Sequence, residues 1–263
     1  MRKNEFLSSR AVIEFASWME SILDAPQAFV HGYFHNKERK SYEFENLFSA
    51  YEKYNWTLND DIDALSAALS KSLAESDEKS CESICYRILK WGGVSNRGNN
   101  GRLSRLSSRL CPYLHNAQKR LSEDLSSIEY YENWINMTSG FSKIYSALMP
   151  DFMIYDSRVA AALGLLVRHF CIGNNLTYIP SELRFAWTSG LGNHLRNPSN
   201  DKYSFPKLRI YKEGEYLENN IRANWLMSCI AQNTNSRFAE IDRPKRLRAL
   251  EQSLFMIGYD IAE

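Results

Sequence analysis

Two ionisable side chains, Lys143 and Asp156, flank a short apolar stretch of the sequence. Asp156 directly precedes the helix-forming run 157–163, and aspartate is among the residues that best cap the start of a helix. The four residues before it, 152–155, are Phe-Met-Ile-Tyr. A carboxylate that leaves an apolar segment at a helix start is held rigidly and can have a shifted pKa, which is typical of functional sites. Helix capping and catalysis therefore both remain interpretations of Asp156.

Lys143 follows the sequence Thr-Ser-Gly-Phe-Ser at 138–142. This sequence predicts a glycine turn between a helix over about 122–136 and a second helix. The backbone N–H groups of Gly140 and Ser142 would then lie at a helix N-terminus, where they can hold a phosphate. A lysine in the first helical turn opposes the helix dipole, which favours acids there. Such a local conflict favours a functional role, and an ordinary surface lysine is the alternative.

The basic residues of the chain are unevenly distributed. The net charge is only +1, yet no Asp or Glu occurs between Lys90 and Arg120. This segment predicts a polyanionic partner that is contacted on one face. The alternative is a solvated helix face whose acidic neighbours come from elsewhere in the fold. The basic residues of the segment are Lys90, Arg97, Arg102, Arg105, Arg109, Lys119 and Arg120.

Several classes of protein have no support in the sequence. No apolar run reaches the roughly 18–20 residues of a membrane-spanning helix, and the first residues lack a signal-peptide core, so we expect a cytoplasmic protein without a membrane partner. The 5 cysteines are scattered and form no CxxC pair, so we expect reduced thiols and no metal site. The motifs of metalloproteases, P-loop NTPases, dehydrogenases and serine hydrolases are absent.

Helical periodicity dominates the chain, so the predicted fold class is mostly α. The segment 94–101 is predicted as a loop, and 171–214 as irregular structure in which a short hairpin near 203–212 can form. We divide the chain into an N-terminal helical region, 1–75, and a second region, 76–263, within one integrated unit. Helices are predicted at about 4–24, 61–74, 78–91, 102–120, 122–136, 157–170, 215–233 and 243–258.

The settings of Lys143 and Asp156 resemble those of the helix-hairpin-helix DNA glycosylases, in particular the branch similar to 8-oxoguanine DNA glycosylase. That family has a Gly-hydrophobic-Gly turn before a lysine, and an aspartate after two hydrophobic residues at the start of the next helix. This chain has Gly-Phe-Ser at 140–142 and Ile-Tyr at 154–155. The segments RLRALEQSLFMIGYDI, 246–261, and ILKWGG, 88–93, also look like a bacterial group with that glycosylase fold.

The chain departs from the family pattern at several points. Ser142 replaces the second glycine, and Lys143 follows it one residue earlier than is usual in the family. The interval of 13 residues from Lys143 to Asp156 is also shorter than the family's by a helical turn or more. The β-sheet domain that precedes the glycosylase region in eukaryotic members is not apparent. These departures concern the lysine more than the aspartate.

The resemblance implies a mostly α fold in which two helical lobes enclose a DNA cleft. It also implies an enzyme that flips a modified base out of double-stranded DNA and excises it, leaving an abasic site. Asp156 would stabilise the positive charge that develops on the sugar. Lys143 would attack the anomeric carbon and form a Schiff base, which permits strand cleavage. If Lys143 cannot reach that carbon, Asp156 would position a water instead.

The resemblance and the basic segment together assign further residues. The expected DNA contacts are Gly140, Ser142, Arg97, Asn99, Arg102, Arg105, Arg109 and Arg158. The expected base-pocket residues are Trp91, Tyr155, Phe152, Trp187 and His194, although aromatic residues at helical spacing more often belong to a core.

The substrate and the biological role stay open at this point. The resemblance implies an oxidised purine such as 8-oxoguanine, and hence repair. Antiphage glycosylases look like members of the same bacterial group, which favours a hypermodified, glucosylated hydroxymethyl cytosine of phage DNA. A non-catalytic helical DNA-binding protein and a protein–protein adaptor are the alternatives to an enzyme. We expect a monomer that needs no cofactor and no metal.

Overall fold

The computed structural model of the chain describes residues 1–56, 61–126, 135–190, 192, 194–209 and 212–262, and of residues 96, 97 and 213 it describes the backbone alone. The predicted mostly α class is confirmed. The α-helices of the described residues are α1 Lys3–Leu7, α2 Arg10–Ile22, α3 Leu47–Glu52, α4 Ile62–Ala74, α5 Glu78–Trp91, α6 Asn100–Ser104, α7 Leu110–Leu121, α8 Ser139–Leu148, α9 Ser157–Gly173, α10 Glu213–Asn233 and α11 Arg246–Ile257. None of these helices combines the length and the apolar character that crossing a membrane requires.

Several predicted boundaries were wrong. The predicted helix at 4–24 is interrupted between α1 and α2, where Ser9 caps the second helix with extended backbone. The predicted loop at 94–101 is helical, with a π-helical turn at Ser95–Asn99 that leads into α6. Residues 122–126 of the predicted helix 122–136 form turns and a bridge between Leu125 and Arg2, and residues 127–134 lie outside the described part.

The sequence analysis missed a β-hairpin. Strands β1 His31–His35 and β2 Lys40–Phe44 pair in antiparallel register, with Tyr33 opposite Tyr42. The hairpin expected near 203–212 is absent over 203–209, where an isolated bridge joins Lys207 to Trp187, and residues 210 and 211 lie outside the described part. The hairpin that does form is rich in aromatic residues, which favour strands.

Two central helices carry the residues singled out by the sequence. Every residue from Gly140 to Leu148 in α8 is buried, and so is every residue from Val159 to Arg168 in α9. Both helices therefore lie in the interior of the protein, even though α8 carries polar side chains such as Ser142 and Lys143. A Cβ atom on Gly258, at the end of α11, would overlap the carbonyl oxygen of Arg158, so α11 meets the first turn of α9 in direct backbone contact. The first turn of α9 is therefore fixed by the packing around it.

Candidate active site

Asp156 caps helix α9, as the sequence predicted. Its Oδ1 atom accepts hydrogen bonds from the backbone N–H groups of Arg158, at 2.9 Å, and Val159, at 3.2 Å. Its second oxygen, Oδ2, lies 3.0 Å from the Nζ atom of Lys143. Capping and contact with the lysine are therefore simultaneous, because they use different oxygens of one carboxylate.

Lys143 lies one turn further into its helix than the sequence analysis placed it. Helix α8 begins at Ser139, and Thr138 caps it by accepting a hydrogen bond from the N–H group of Phe141. Lys143 is therefore in the second turn, and the expected dipole conflict does not arise. Its side chain is only 4% exposed, and its Nζ atom donates to the Ser139 carbonyl as well as to Asp156. The aliphatic stem of Lys143 occupies the place that a Cβ atom on Gly92 would fill.

The environment of Asp156 keeps its carboxyl group ionised. Burial alone would raise its pKa, but the charge of Lys143, the hydrogen bond from Lys143 and the Val159 N–H group outweigh it and lower the pKa from 3.8 to about 2. At neutral pH the carboxylate has no proton to give and is a poor proton acceptor. It can nevertheless stabilise a positive charge that develops nearby.

The Lys143–Asp156 pair lies on the wall of a cavity of about 960 Å³. Aromatic side chains from the hairpin, from residues 54–56, from α5 and from α11 line much of this cavity. The lining also carries more basic than acidic side chains, which favours an anionic ligand. The basic lining residues are Lys37, Arg102, Lys143, Arg158, Arg196, Lys207, Arg209 and Lys212, and the acidic ones are Glu38, Asp156 and Glu251.

Arg158 is held in the cavity by aromatic rings. Its guanidinium carbon lies 4.1 Å from the ring centre of Phe255, 4.8 Å from that of Tyr259 and 5.4 Å from that of Trp56. Burial lowers the pKa of this guanidinium, while Asp156 opposes the shift. Within the described parts of the chain no carboxylate forms a salt bridge with Arg158, so its donors are available to a ligand.

Seven of the residues that the sequence analysis named line this single cavity: Lys143, Asp156, Asn99, Arg102, Arg158, Trp91 and His194. Asn99 has a structural function as well. Its side chain donates to the Val94 carbonyl at 2.9 Å and accepts from Thr138 at 2.7 Å, which ties the π-helical turn to the start of α8.

Three of the expected base-pocket residues lie outside the cavity. Phe152 and Tyr155 are core residues, and Tyr155 is fully buried with its hydroxyl donating to the Ala186 carbonyl at 2.6 Å. Trp187 instead carries the ammonium group of Lys207 over its ring at 5.1 Å. None of these three residues lines the cavity. Phe152 and Tyr155 were misassigned because apolar residues beside a site in the sequence also build the core beneath it, whereas Trp187 is only partly buried and packs against Lys207.

The expected DNA contacts are divided in a similar way. Ser142 is fully buried and its N–H group donates to the Thr138 carbonyl, so this group is not open to a phosphate. Gly140 is buried against Asn99, which lies 2.5 Å from where a Cβ atom of Gly140 would be. Arg105 and Arg109 are exposed but do not line the cavity, and the side chain of Arg97 lies outside the described part.

A large share of the cavity wall was not predicted from the sequence. Tyr33 and His35 come from β1, Tyr259 follows α11, and their rings form one cluster, with the His35 and Tyr259 centres 4.1 Å apart. His194 joins this cluster at 4.2 Å from Tyr259. The alternation of aromatic residues in β1 was the available signal, but it identifies a strand and not a cavity wall.

Metal ligation finds no support in the described residues, where no group of three or more His, Cys, Asp or Glu side chains is placed to hold an ion. The five cysteines are free thiols, as expected, although Cys81 and Cys111 lie with their sulfur atoms 3.4 Å apart. Comparison of the chain with protein-family models, with curated proteins and with solved structures found no match.

Proposed function

We propose that this protein is a DNA N-glycosylase of the helix-hairpin-helix type that flips a modified base into the cavity and excises it. The observation that carries the proposal is the 3.0 Å contact between Lys143 and Asp156 on the wall of an aromatic, cationic cavity. An amine and a carboxylate fixed at this distance can both reach one sugar carbon. The aromatic lining suits the stacking of a flipped base.

Asp156 supplies the electrostatic part of the reaction. When the N-glycosidic bond breaks, its electron pair leaves with the base and positive charge develops on the sugar. A carboxylate whose pKa is about 2 is fully ionised at neutral pH and stabilises this charge without needing to reorganise. Its backbone hydrogen bonds prevent it from turning away from the site.

Lys143 supplies the nucleophile in a bifunctional enzyme. In the resting protein its ammonium group donates to two oxygen atoms, so it must lose a proton before it can attack. The departing base accepts that proton on the nitrogen that held the sugar, and the amine then forms the bond to the anomeric carbon. In a monofunctional enzyme a water attacks instead, and Lys143 remains the counter-ion of Asp156.

The size of the cavity favours a base that carries a large substituent. A volume of about 960 Å³ is near the upper end of the roughly 300–1,000 Å³ typical of sites for drug-sized ligands, and an unmodified base needs far less. We therefore favour a hypermodified cytosine of phage DNA, and with it a role in antiviral defence. Excision of 8-oxoguanine in repair is the second candidate, because the settings of Lys143 and Asp156 resemble those of the 8-oxoguanine DNA glycosylase branch.

A cleavage assay tests the proposal. Duplexes that contain 8-oxoguanine or glucosylated hydroxymethyl cytosine are incubated with the protein, treated with alkali and analysed for strand breaks. We expect breaks at one modified base, and we expect Asp156→Asn to abolish them while DNA binding persists, because asparagine still caps α9. Asp151→Asn, the same change at an exposed position five residues away, is the control and should cleave normally.

Two other results would lead to different conclusions. Binding without breaks on these duplexes and on a broad panel of other modified bases would favour a non-catalytic DNA-binding protein over the glycosylase. Borohydride treatment of an active protein traps a Schiff base on Lys143 if the enzyme is bifunctional. An active protein that gives no covalent adduct would assign the reaction to Asp156 and water.

A further inference from the structure

Helix α11 carries an ion pair near the candidate active site. The Nη1 atom of Arg248 lies 2.7 Å from the Oε1 atom of Glu251, and the Glu251 side chain is only 7% exposed. A charged pair this deeply placed needs further hydrogen bonds to offset the loss of hydration. Those hydrogen bonds show what the pair connects.

Each member of the pair reaches a different part of the site. The Nη2 atom of Arg248 donates to the Ser146 carbonyl at 3.1 Å, in α8 and one turn beyond Lys143. The Oε2 atom of Glu251 accepts from the Ile154 N–H group at 2.5 Å, two residues before Asp156. One ion pair therefore joins the helix of Lys143 to the segment that ends at Asp156.

Most of the chain between these two points lies outside regular secondary structure. Residues 149–156 connect α8 to α9 as turns and extended backbone. Such a connection leaves the direction of Lys143 relative to Asp156 to be set by side-chain contacts. Both carboxylate oxygens of Glu251 accept hydrogen bonds within the protein, one from Arg248 and one from Ile154, so Glu251 is placed to hold these two groups together.

We infer that Arg248 and Glu251 form a positioning clamp that fixes Lys143 at the distance from Asp156 that the reaction needs. The inference rests on the proposed function for its catalytic meaning, whereas the contact it describes exists without DNA. Neither residue of the clamp needs to touch the substrate. Its loss is expected to release Lys143 from Asp156 more than it loosens the rest of the protein.

Helix α10 provides a matched comparison. The Oδ1 atom of Asn224 accepts from the Met153 N–H group at 2.9 Å, so it holds the same segment before Asp156. Among the described residues, Asn224 makes no hydrogen bond or ion pair with α8, in contrast to the clamp. A variant of Asn224 therefore loosens the segment before Asp156 but leaves the Arg248–Glu251 connection between that segment and α8 in place.

The test measures how fast Lys143 is acetylated by an N-hydroxysuccinimide ester, followed by mass spectrometry of its peptide. A buried, ion-paired amine reacts slowly, and exposed lysines of the same chain serve as internal references. We expect the rate at Lys143 to rise about tenfold in Glu251→Gln and in Arg248→Lys, since coupled contacts of this kind differ by about that factor. Arg248→Lys keeps the charge but loses the planar guanidinium group, whose two Nη atoms reach the Glu251 Oε1 atom and the Ser146 carbonyl oxygen. We expect Asn224→Ala to change the rate of Lys143 acetylation by less than about threefold.

Two results would overturn the clamp. The first is a Lys143 rate within twofold, roughly, of the unmodified protein in both clamp variants. The second is an equal rise in Asn224→Ala at a matched melting temperature, which would show general loosening. If the glycosylase is active, Arg248→Lys should also lower the cleavage rate with DNA affinity retained, since Arg248 does not line the cavity. A protein that excises no base would refute the proposed function and leave the labelling test of the clamp intact.

Discussion

The Nζ atom of Lys143 and the Oδ2 atom of Asp156 lie 3.0 Å apart, and the contact joins the second turn of α8 to the N-cap of α9. Both side chains are largely buried, so the pair is shielded from solvent and salt. The helix cap, the ion pair and the candidate chemistry depend on the same carboxylate. Changes to either residue should therefore affect stability and activity together, with different signatures.

Acid should destabilise the protein through Asp156. Its pKa is lowered from 3.8 to about 2 on folding, so its contribution is complete above pH 4 and is lost as the pH falls through 2. We expect a loss of about 2 kcal/mol in the free energy of unfolding over this interval. Urea titrations from about pH 5 to about pH 2 measure this loss in the free energy of unfolding. Asp156→Asn should lose less over the same range, and an identical pH dependence in that variant would contradict the assignment.

Removal of the cation should be costly. Lys143→Met leaves the Asp156 carboxylate buried without its counter-ion, so we expect a loss of about 3 kcal/mol in the free energy of unfolding. The double variant Lys143→Met with Asp156→Asn removes both charges and should recover part of this loss. A double-mutant cycle from urea unfolding measures the coupling. Additive losses would show that the two residues do not interact in solution.

The absence of a side chain at Gly92 should determine the direction in which the Lys143 side chain points. A Cβ atom at position 92 would overlap the Cδ atom of Lys143, which can move aside because it belongs to a flexible side chain. Gly92→Ala should therefore reduce base excision about tenfold or more while the melting temperature changes little. Gly101→Ala is the matched control, since nothing lies within 4 Å of a Cβ atom there. Equal activities of the two variants would argue against a role for the lysine in the reaction.

Gly258 should be sensitive for a structural reason. Its added Cβ atom would overlap the backbone of Arg158, which cannot move without shifting the first turn of α9. We expect Gly258→Ala to cost about 3 kcal/mol. Gly173→Ala, where nothing lies within 4 Å, should be neutral or slightly stabilising. Thermal unfolding of the two variants provides the comparison, and a melting temperature of Gly258→Ala at or above that of the unmodified protein would contradict this packing.

Lys207 should contribute to DNA binding through charge alone. It is exposed at the cavity, so Lys207→Ala should lower the affinity for any duplex and reduce the slope of log K against log salt by about 1. Lys79→Ala, at an exposed position away from the cavity, should leave the slope unchanged. Fluorescence anisotropy at several salt concentrations measures both. Identical slopes would place the DNA on another surface.

The helix cap at Asp156 was predicted correctly from the sequence, whereas the start of α8 and the β-hairpin were not. Asp156 as a cap depends only on the residues that follow it. Lys143 was misplaced by one turn because Thr138, which caps α8, and the residues that follow it were assigned to a turn before the helix. The hairpin was missed because its turn contains no glycine, and Arg39 adopts the left-handed conformation there with a φ of 53°.

The wall of the cavity was beyond sequence reasoning for a different reason. Tyr33, Arg158 and Tyr259 come from three distant parts of the chain, and nothing in their own neighbourhoods indicates that they meet. Phe152 and Tyr155 show the converse, since their proximity to Asp156 in the sequence placed them beneath the site and not within it. Neighbouring residues in the sequence predict that Asp156 caps α9, whereas tertiary packing determines which residues line the cavity.

The hairpin is joined to the last turn of the fold. The Nε2 atom of His31 lies 3.1 Å from the carbonyl oxygen of Ile257 and 2.9 Å from that of Asp260. During synthesis β1 leaves the ribosome more than two hundred residues before these partners do. Contacts across such a separation form late, because a long loop must close first. The nascent chain therefore carries Lys143 and Asp156 before the hairpin can contact Ile257 and Asp260, and the cavity wall is complete only after those two residues have been made.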